Sequence, residues 1–144
     1  MQFDPHNTIV KLCSEGMNLE GQGKKDEALK IFMQAWDEAK DNLEKFISAH
    51  YVAKHQQNPS EKLKWDETAL GFALKISDQN VKGALPSLYL NIAKGYEDLQ
   101  DIENAGKNYQ LALSYTEFLE EDGYGKMIRA GISEGLKRVH LRKE

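Results

Sequence analysis

Residues 89–115, YLNIAKGYEDLQDIENAGKNYQLALSY, place Tyr89, Ile92, Ala93 and Tyr96 before Ala105, Tyr109 and Ala112. Small and large side chains recur here at steps of three and four. On a helix such steps fall on one stripe. A chain written this way must form helices, and each helix must bury its stripe against another. Residues 24–40 do the same with Ala28, Leu29, Ile31, Phe32, Ala35, Trp36 and Ala39. The periodicity predicts helices over about 7–21, 24–40, 43–57, 59–76, 83–99, 102–119 and 124–141. Short turns join them, as in antiparallel hairpins. The fold class is all-α.

Punctuation agrees with these bounds. The three prolines stand where helices begin. Asn58-Pro59-Ser60-Glu61 reads as an N-cap, a proline at the first helical position and a glutamate three residues after the cap. Pro5 and Pro86 precede or open periodic stretches, and Asp101 is a fitting N-cap for the sixth helix. No Asn-Gly or Asp-Gly pair joins two alternating runs, so no β-hairpin is indicated.

The quoted stretch has the spacing Tyr89-x2-Ile92-Ala93-x2-Tyr96-x8-Ala105-x3-Tyr109-x2-Ala112. This resembles the signature of the tetratricopeptide repeat, a helix-turn-helix unit of about 34 residues. Leu12-x2-Glu15-Gly16-x2-Leu19-x8-Ala28-x3-Phe32-x2-Ala35 is similar, with Glu15 in place of an apolar residue. A middle copy keeps Phe46, Ala49, Ala53 and Ala69. It has His50 at a small position, Lys62 at the alanine position and Asp66 at the aromatic position, with Leu63 and Trp65 next to them to supply bulk. From Lys62 to Ala105 the step is 43 residues, so this copy or its exit is longer than standard. Lys40, Leu74 and Glu117 stand where a proline would end each unit, which leaves the second helices free to run on.

Packing explains the letters. Gly16, Ala28, Ala93 and Ala105 let paired helices approach, and Phe32, Tyr96 and Tyr109 fill the gaps between hairpins. The resemblance implies one domain over 1–144: repeats at about 9–42, 43–78 and 86–119, with a capping helix at about 124–141. It implies a right-handed superhelix of antiparallel hairpins, an α-α solenoid whose first helices line a concave face. It further implies protein or peptide binding and no catalysis.

Bulk properties bound the function. The net charge of -4 lacks the basic excess of a nucleic-acid footprint. No apolar run approaches the roughly 20 residues of a membrane span. The start, MQFDPHNTIVKL, lacks a signal-peptide layout, and the single cysteine, Cys13, suits a reducing compartment. The cytoplasm is the expected location.

Signals for chemistry are few. His50 and His55 are five residues apart, about 140° around a helix, so they do not chelate one metal. Gly21-x-Gly23 and Gly123-x-Gly125 lack the third glycine and preceding strand of a phosphate loop. Cys13 reads as a half-buried small residue, and Glu120-Glu121-Asp122 as a solvated turn. An rRNA adenine methyltransferase reading is unsupported. That chemistry is associated with a doubly wound α/β domain and an Asn/Asp-Pro-Pro-Tyr/Phe motif. The only Asn-Pro here is followed by Ser60-Glu61 and lacks the aromatic. No catalytic residue, metal or cofactor is expected.

The repeat frame puts concave positions on the first helices: Val10, Cys13, Met17 and Glu20; Ile47, Tyr51, Lys54 and His55; Leu90, Asn91, Lys94 and Glu97. The carboxylate clamp of chaperone-binding relatives is not matched. Cys13, Met17, Ser48, Ser87 and Asn91 stand at its positions. Tyr51, Lys54, His55 and Lys94 are suited to anchoring a peptide through ring burial and charge-assisted hydrogen bonds. They are equally suited to packing the inner wall. A self-associating module, a homo-oligomer, is the alternative to a peptide scaffold. Residues 97–122 hold eight acids and one lysine, and 126–144 hold six Lys/Arg and two Glu. That asymmetry fits a contact between two copies, or simply a solvated face and a helix end favoured by its dipole.

Overall fold

The computed structural model describes residues 3–143, and every regular element among them is helical. The chain divides between Ile76 and Ser77 into two compact units.

The N-terminal unit holds α1 (Thr8–Gly21), α2 (Lys25–Glu38), α3 (Asn42–Lys54) and α4 (Pro59–Ala73). Three of the four begin on a side-chain cap. Asn7 accepts from the Ile9 and Val10 N–H groups, Asp41 from Glu44, and Asn58 from Ser60 and Glu61. Each cap satisfies donors that a helix start leaves unpaired. Gly23, at φ 78°, makes the turn between α1 and α2. Ala28, Phe32 and Ala35 of α2 are fully buried. A Cβ on Gly16 would stand 2.4 Å from the Phe32 ring, so glycine is what lets α1 close onto α2. Glu15, at an apolar position of the pattern, is exposed.

The second hairpin handles its odd letters with an ion pair. Asp66 is 1 % exposed. It receives a 2.7 Å bond from Lys62 Nζ, one helical turn earlier. Leu63 supplies buried bulk. Trp65 instead sits edge-on to Trp36 of α2, with ring centroids 5.2 Å apart.

The C-terminal unit contains α5 (Gln79–Lys82), α6 (Leu85–Asp98), α7 (Ile102–Ser114) and α8 (Gly123–Lys143). Periodicity missed α5, which is one turn capped by Asp78. It takes up part of the long step from Lys62 to Ala105. Ala93, Ala105, Tyr109 and Val139 form a core cluster, flanked by Leu90, Tyr96, Ile102 and Leu136. Here α8 must carry glycine at 135, because a Cβ would stand 2.2 Å from Tyr109.

Two boundary expectations are corrected. The second helices do not run on: α2 stops at Glu38, where Ala39 turns extended and Asp41 caps α3. The continuous helix expected to residue 119 ends at Ser114 and gives way to a 3-10 turn, Thr116–Phe118. There Tyr115 stacks flat on Tyr89 at 5.5 Å.

Candidate functional site

In the N-terminal unit, α1 and α3 bring the expected residues to one place. Phe32, fully buried, lies at the centre. The Tyr51 ring stacks on it at 5.0 Å and 11°, and the His55 ring at 5.4 Å and 27°. Lys54 Nζ lies 5.5 Å from the Tyr51 ring centroid, in cation–π range. The Glu20 carboxylate reaches both Lys54 and His55. Its Oε2 is 3.8 Å from Lys54 Nζ and 3.1 Å from His55 Nε2, the latter off the hydrogen-bond direction.

This ordering has consequences for access. Cys13 and Ile47 are buried, while Met17 is 42 % exposed and Lys54 is exposed. Tyr51 and Glu20 are partly open. Burial pushes the Cys13 thiol up to about 12, so it stays protonated and is no nucleophile at neutral pH. Burial first, and then Cys13 and Glu20, also raise the Tyr51 phenol. Tyr51 is therefore a neutral ring stacked on a buried one, with the exposed Lys54 ammonium beside it. Val10 is half-buried on the same helix as Met17.

His50, next to Tyr51, is a separate case. Its Nδ1 is buried and finds no hydrogen-bond partner among the described residues. Burial, then Lys54 and Lys62, pull its pKa down to about 4.

In the C-terminal unit, the four candidates of α6 part company. Leu90 and Asn91 are half-buried. Lys94 is exposed and pairs loosely with Asp98 at 3.5 Å. Glu97 is 6 % exposed and fully engaged. It accepts 2.9 and 3.2 Å bonds from Arg138 of α8 and a 2.6 Å bond from the Tyr109 hydroxyl. The Arg138 bonds hold its carboxyl below the usual range. Sequence reasoning missed this trio. Tyr109 and Arg138 lie 12 and 41 residues from Glu97, and no local period links the three.

Two acids of the 97–122 segment pair with the basic tail of the same molecule: Glu97 with Arg138, and Glu121 with Arg129 at 3.5 Å. Arg142 bonds the neutral Gln100. Among the described residues no group of three or more His, Cys, Asp or Glu is placed to hold a metal, and no helix is long and apolar enough to cross a membrane.

Searched against protein-family models the chain finds no match, and no curated protein matches it. Solved structures do. PcrH in complex with the chaperone-binding region of PopD is similar at 18 % identity and TM-score 0.72, over 95 % of this chain and 94 % of that one. The Yersinia enterocolitica type III secretion chaperone SycD, in complex with a peptide of the translocator YopD, is similar at 17 % identity and TM-score 0.71, over 95 % of each chain. PcrH from Pseudomonas aeruginosa is similar at 20 % identity and TM-score 0.58, over 96 % of each chain. At these identities the likeness establishes the fold: an all-α chain of helical hairpins, as in those chaperones.

Proposed function

We propose that this chain is a tetratricopeptide-type scaffold that binds a segment of another protein and performs no catalysis of its own. In this reading the three hairpins are three repeats of one domain, and α8 is its cap. The binding positions lie on the first helix of each hairpin: Met17 and Glu20 on α1, Tyr51, Lys54 and His55 from α3, and Leu90, Asn91 and Lys94 on α6. Cys13, Ile47 and Glu97 support these surfaces from behind. The lone cysteine, protonated and buried, fits a reducing compartment such as the cytoplasm.

The observation that carries the reading is the α1–α3 face. An aromatic ring held flat by a buried neighbour, with a cation beside it, is a pre-organised anchor for a side chain. Two of the similar structures, PcrH and SycD, hold a segment of another protein on the same fold, which supports a partner of that kind. The absence of a match to the carboxylate clamp speaks for an internal segment over a C-terminal tail.

The test is a pull-down with wild type and Tyr51→Ala/Lys94→Ala, followed by identification of what is retained. Loss of one specific partner in the folded double variant is expected. Equal recovery of every retained protein by both would reject these surfaces as the site.

A further inference from the structure

The C-terminal unit contains a cavity of about 370 Å³ that the candidate face does not use. It lies between α5 and the loop leading into α8, within the usual size range of ligand pockets. Its lining includes the amide residues Gln79 and Asn80, the acids Glu120 and Asp122, and the aromatic residues Phe118 and Tyr124. No cationic side chain belongs to the lining.

Asp122 Oδ1 accepts from the Gly125 N–H at 2.7 Å. At Gly83 a Cβ would stand 3.4 Å from the Phe118 carbonyl oxygen and 3.5 Å from that of Asn80. These are ordinary van der Waals separations, so two backbone acceptors lie beside Gly83. Tyr124 is 51 % exposed, so its ring is available to a guest.

A guest that complements acceptors, carboxylates and ring faces together is a planar cation with donors only. Guanidinium has five N–H donors and no acceptor, pairs with carboxylates through charge-assisted bonds, and stacks on aromatic rings. The same loop already holds a guanidinium from within the chain. Arg129 Nη2 donates to the Thr116 carbonyl at 3.2 Å and to that of Leu119 at 3.5 Å, and Nη1 donates to that of Glu120 at 3.5 Å. Lys82 Nζ, 5.6 Å from the Phe118 ring centroid, shows that this ring also draws a cation.

We propose that this cavity receives an arginine side chain from a protein partner. The site lies within one unit and does not rest on the α1–α3 face. Backbone NMR at low ionic strength tests it with three probes: N-acetyl-arginine amide, its neutral isostere N-acetyl-citrulline amide, and a capped Gly-Arg-Gly peptide. The arginine amide and the peptide should move the signals of Gln79, Asn80, Gly83 and Glu120 saturably. The citrulline amide should bind about tenfold more weakly, having lost the charge-assisted bonds. Glu120→Gln/Tyr124→Ala changes two exposed residues and should weaken arginine binding by about tenfold with the remaining spectrum unchanged. Tyr51→Ala should leave it unaltered. Equal binding of citrulline, shifts confined to other residues, no saturable shift, or no effect of Glu120→Gln/Tyr124→Ala would each overturn the site. Binding of free arginine but not of the peptide would overturn the protein partner.

Discussion

Arg138 on α8 holds Glu97 on α6 by two bonds, Nε to Oε2 at 2.9 Å and Nη2 to Oε1 at 3.2 Å. Arg138 Nη2 also donates to the Tyr109 hydroxyl at 3.1 Å, and that hydroxyl donates to Glu97. Three helices are thereby tied at one point. Replacing Arg138 by Ala leaves a buried carboxylate with the tyrosine alone. The cost should be about 2 kcal/mol, below that of a fully buried pair because water reaches the arginine. Urea unfolding followed by circular dichroism reads this directly. A loss below 0.5 kcal/mol, the scale of an ordinary surface pair, would show that the contact ties nothing.

Gly135 and Gly16 make a second prediction, with Gly71 as its control. A Cβ on Gly135 would stand 2.2 Å from Tyr109, which its hydroxyl bonds hold in place. On Gly16 it would stand 2.4 Å from Phe32, on which Tyr51 and His55 both stack. Gly135→Ala and Gly16→Ala should each lower stability by about 1–3 kcal/mol. Gly71, inside α4, has nothing within 4 Å of such a Cβ. Gly71→Ala should raise stability by about 0.5–1 kcal/mol, as glycine is a poor helix former. Melting temperatures of the three variants give the order.

Lys62 and Asp66 invite a double-mutant cycle. Lys62→Ala strands a buried carboxylate, and about 2 kcal/mol should be lost, with Lys62 partly in water. Lys62→Ala/Asp66→Leu removes both charges and should recover most of that loss, since apolar residues commonly replace a buried pair at no cost. Equal stability of wild type and Lys62→Ala would show that the pair does not stabilise this helix.

Stability should fall with acid in a window set by His50. Its pKa is about 4 in the folded chain and 6.5 as the free side chain. Between these values the unfolded chain binds the extra proton, so stability drops as pH falls from 6.5 towards 4, by up to about 3 kcal/mol. Asp66, raised by burial, changes stability in the opposite sense near the carboxylate range. Glu97, lowered by its Arg138 bonds, loses its contribution only at still lower pH. His50→Gln should flatten the slope of unfolding free energy between pH 4 and 6.5. An unchanged slope would mean that His50 is solvated in the folded chain.

How much of this could be read from the letters differs by position. Gly16, Ala28, Phe32, Ala35, Ala93, Ala105, Tyr109 and Ala112 were assigned to packing by spacing alone, and all are buried. Their pattern is periodic because a helix is periodic. The repeat frame places Glu20, Tyr51, Lys54 and His55 among the concave positions, but it groups the last three with Lys94; that Glu20 reaches Lys54 and His55 needed the structure. Phe32 was read as gap filler. Its further role as the plate under two rings needed the distance between α2 and α3.

Glu97 marks the boundary. Its place on α6 made it an open letter of the repeat, a position that packing leaves unused. The sequence determined the long helices, their caps at Asn58 and Asp101, and the small-and-large stripes, because these follow from bonds and side chains a few residues apart. Only the tertiary structure decided which polar groups α8 would cover, and so turned Glu97 inward to Arg138 while leaving Lys94 in water. That choice depends on where a helix 41 residues away comes to rest, and no local periodicity records it.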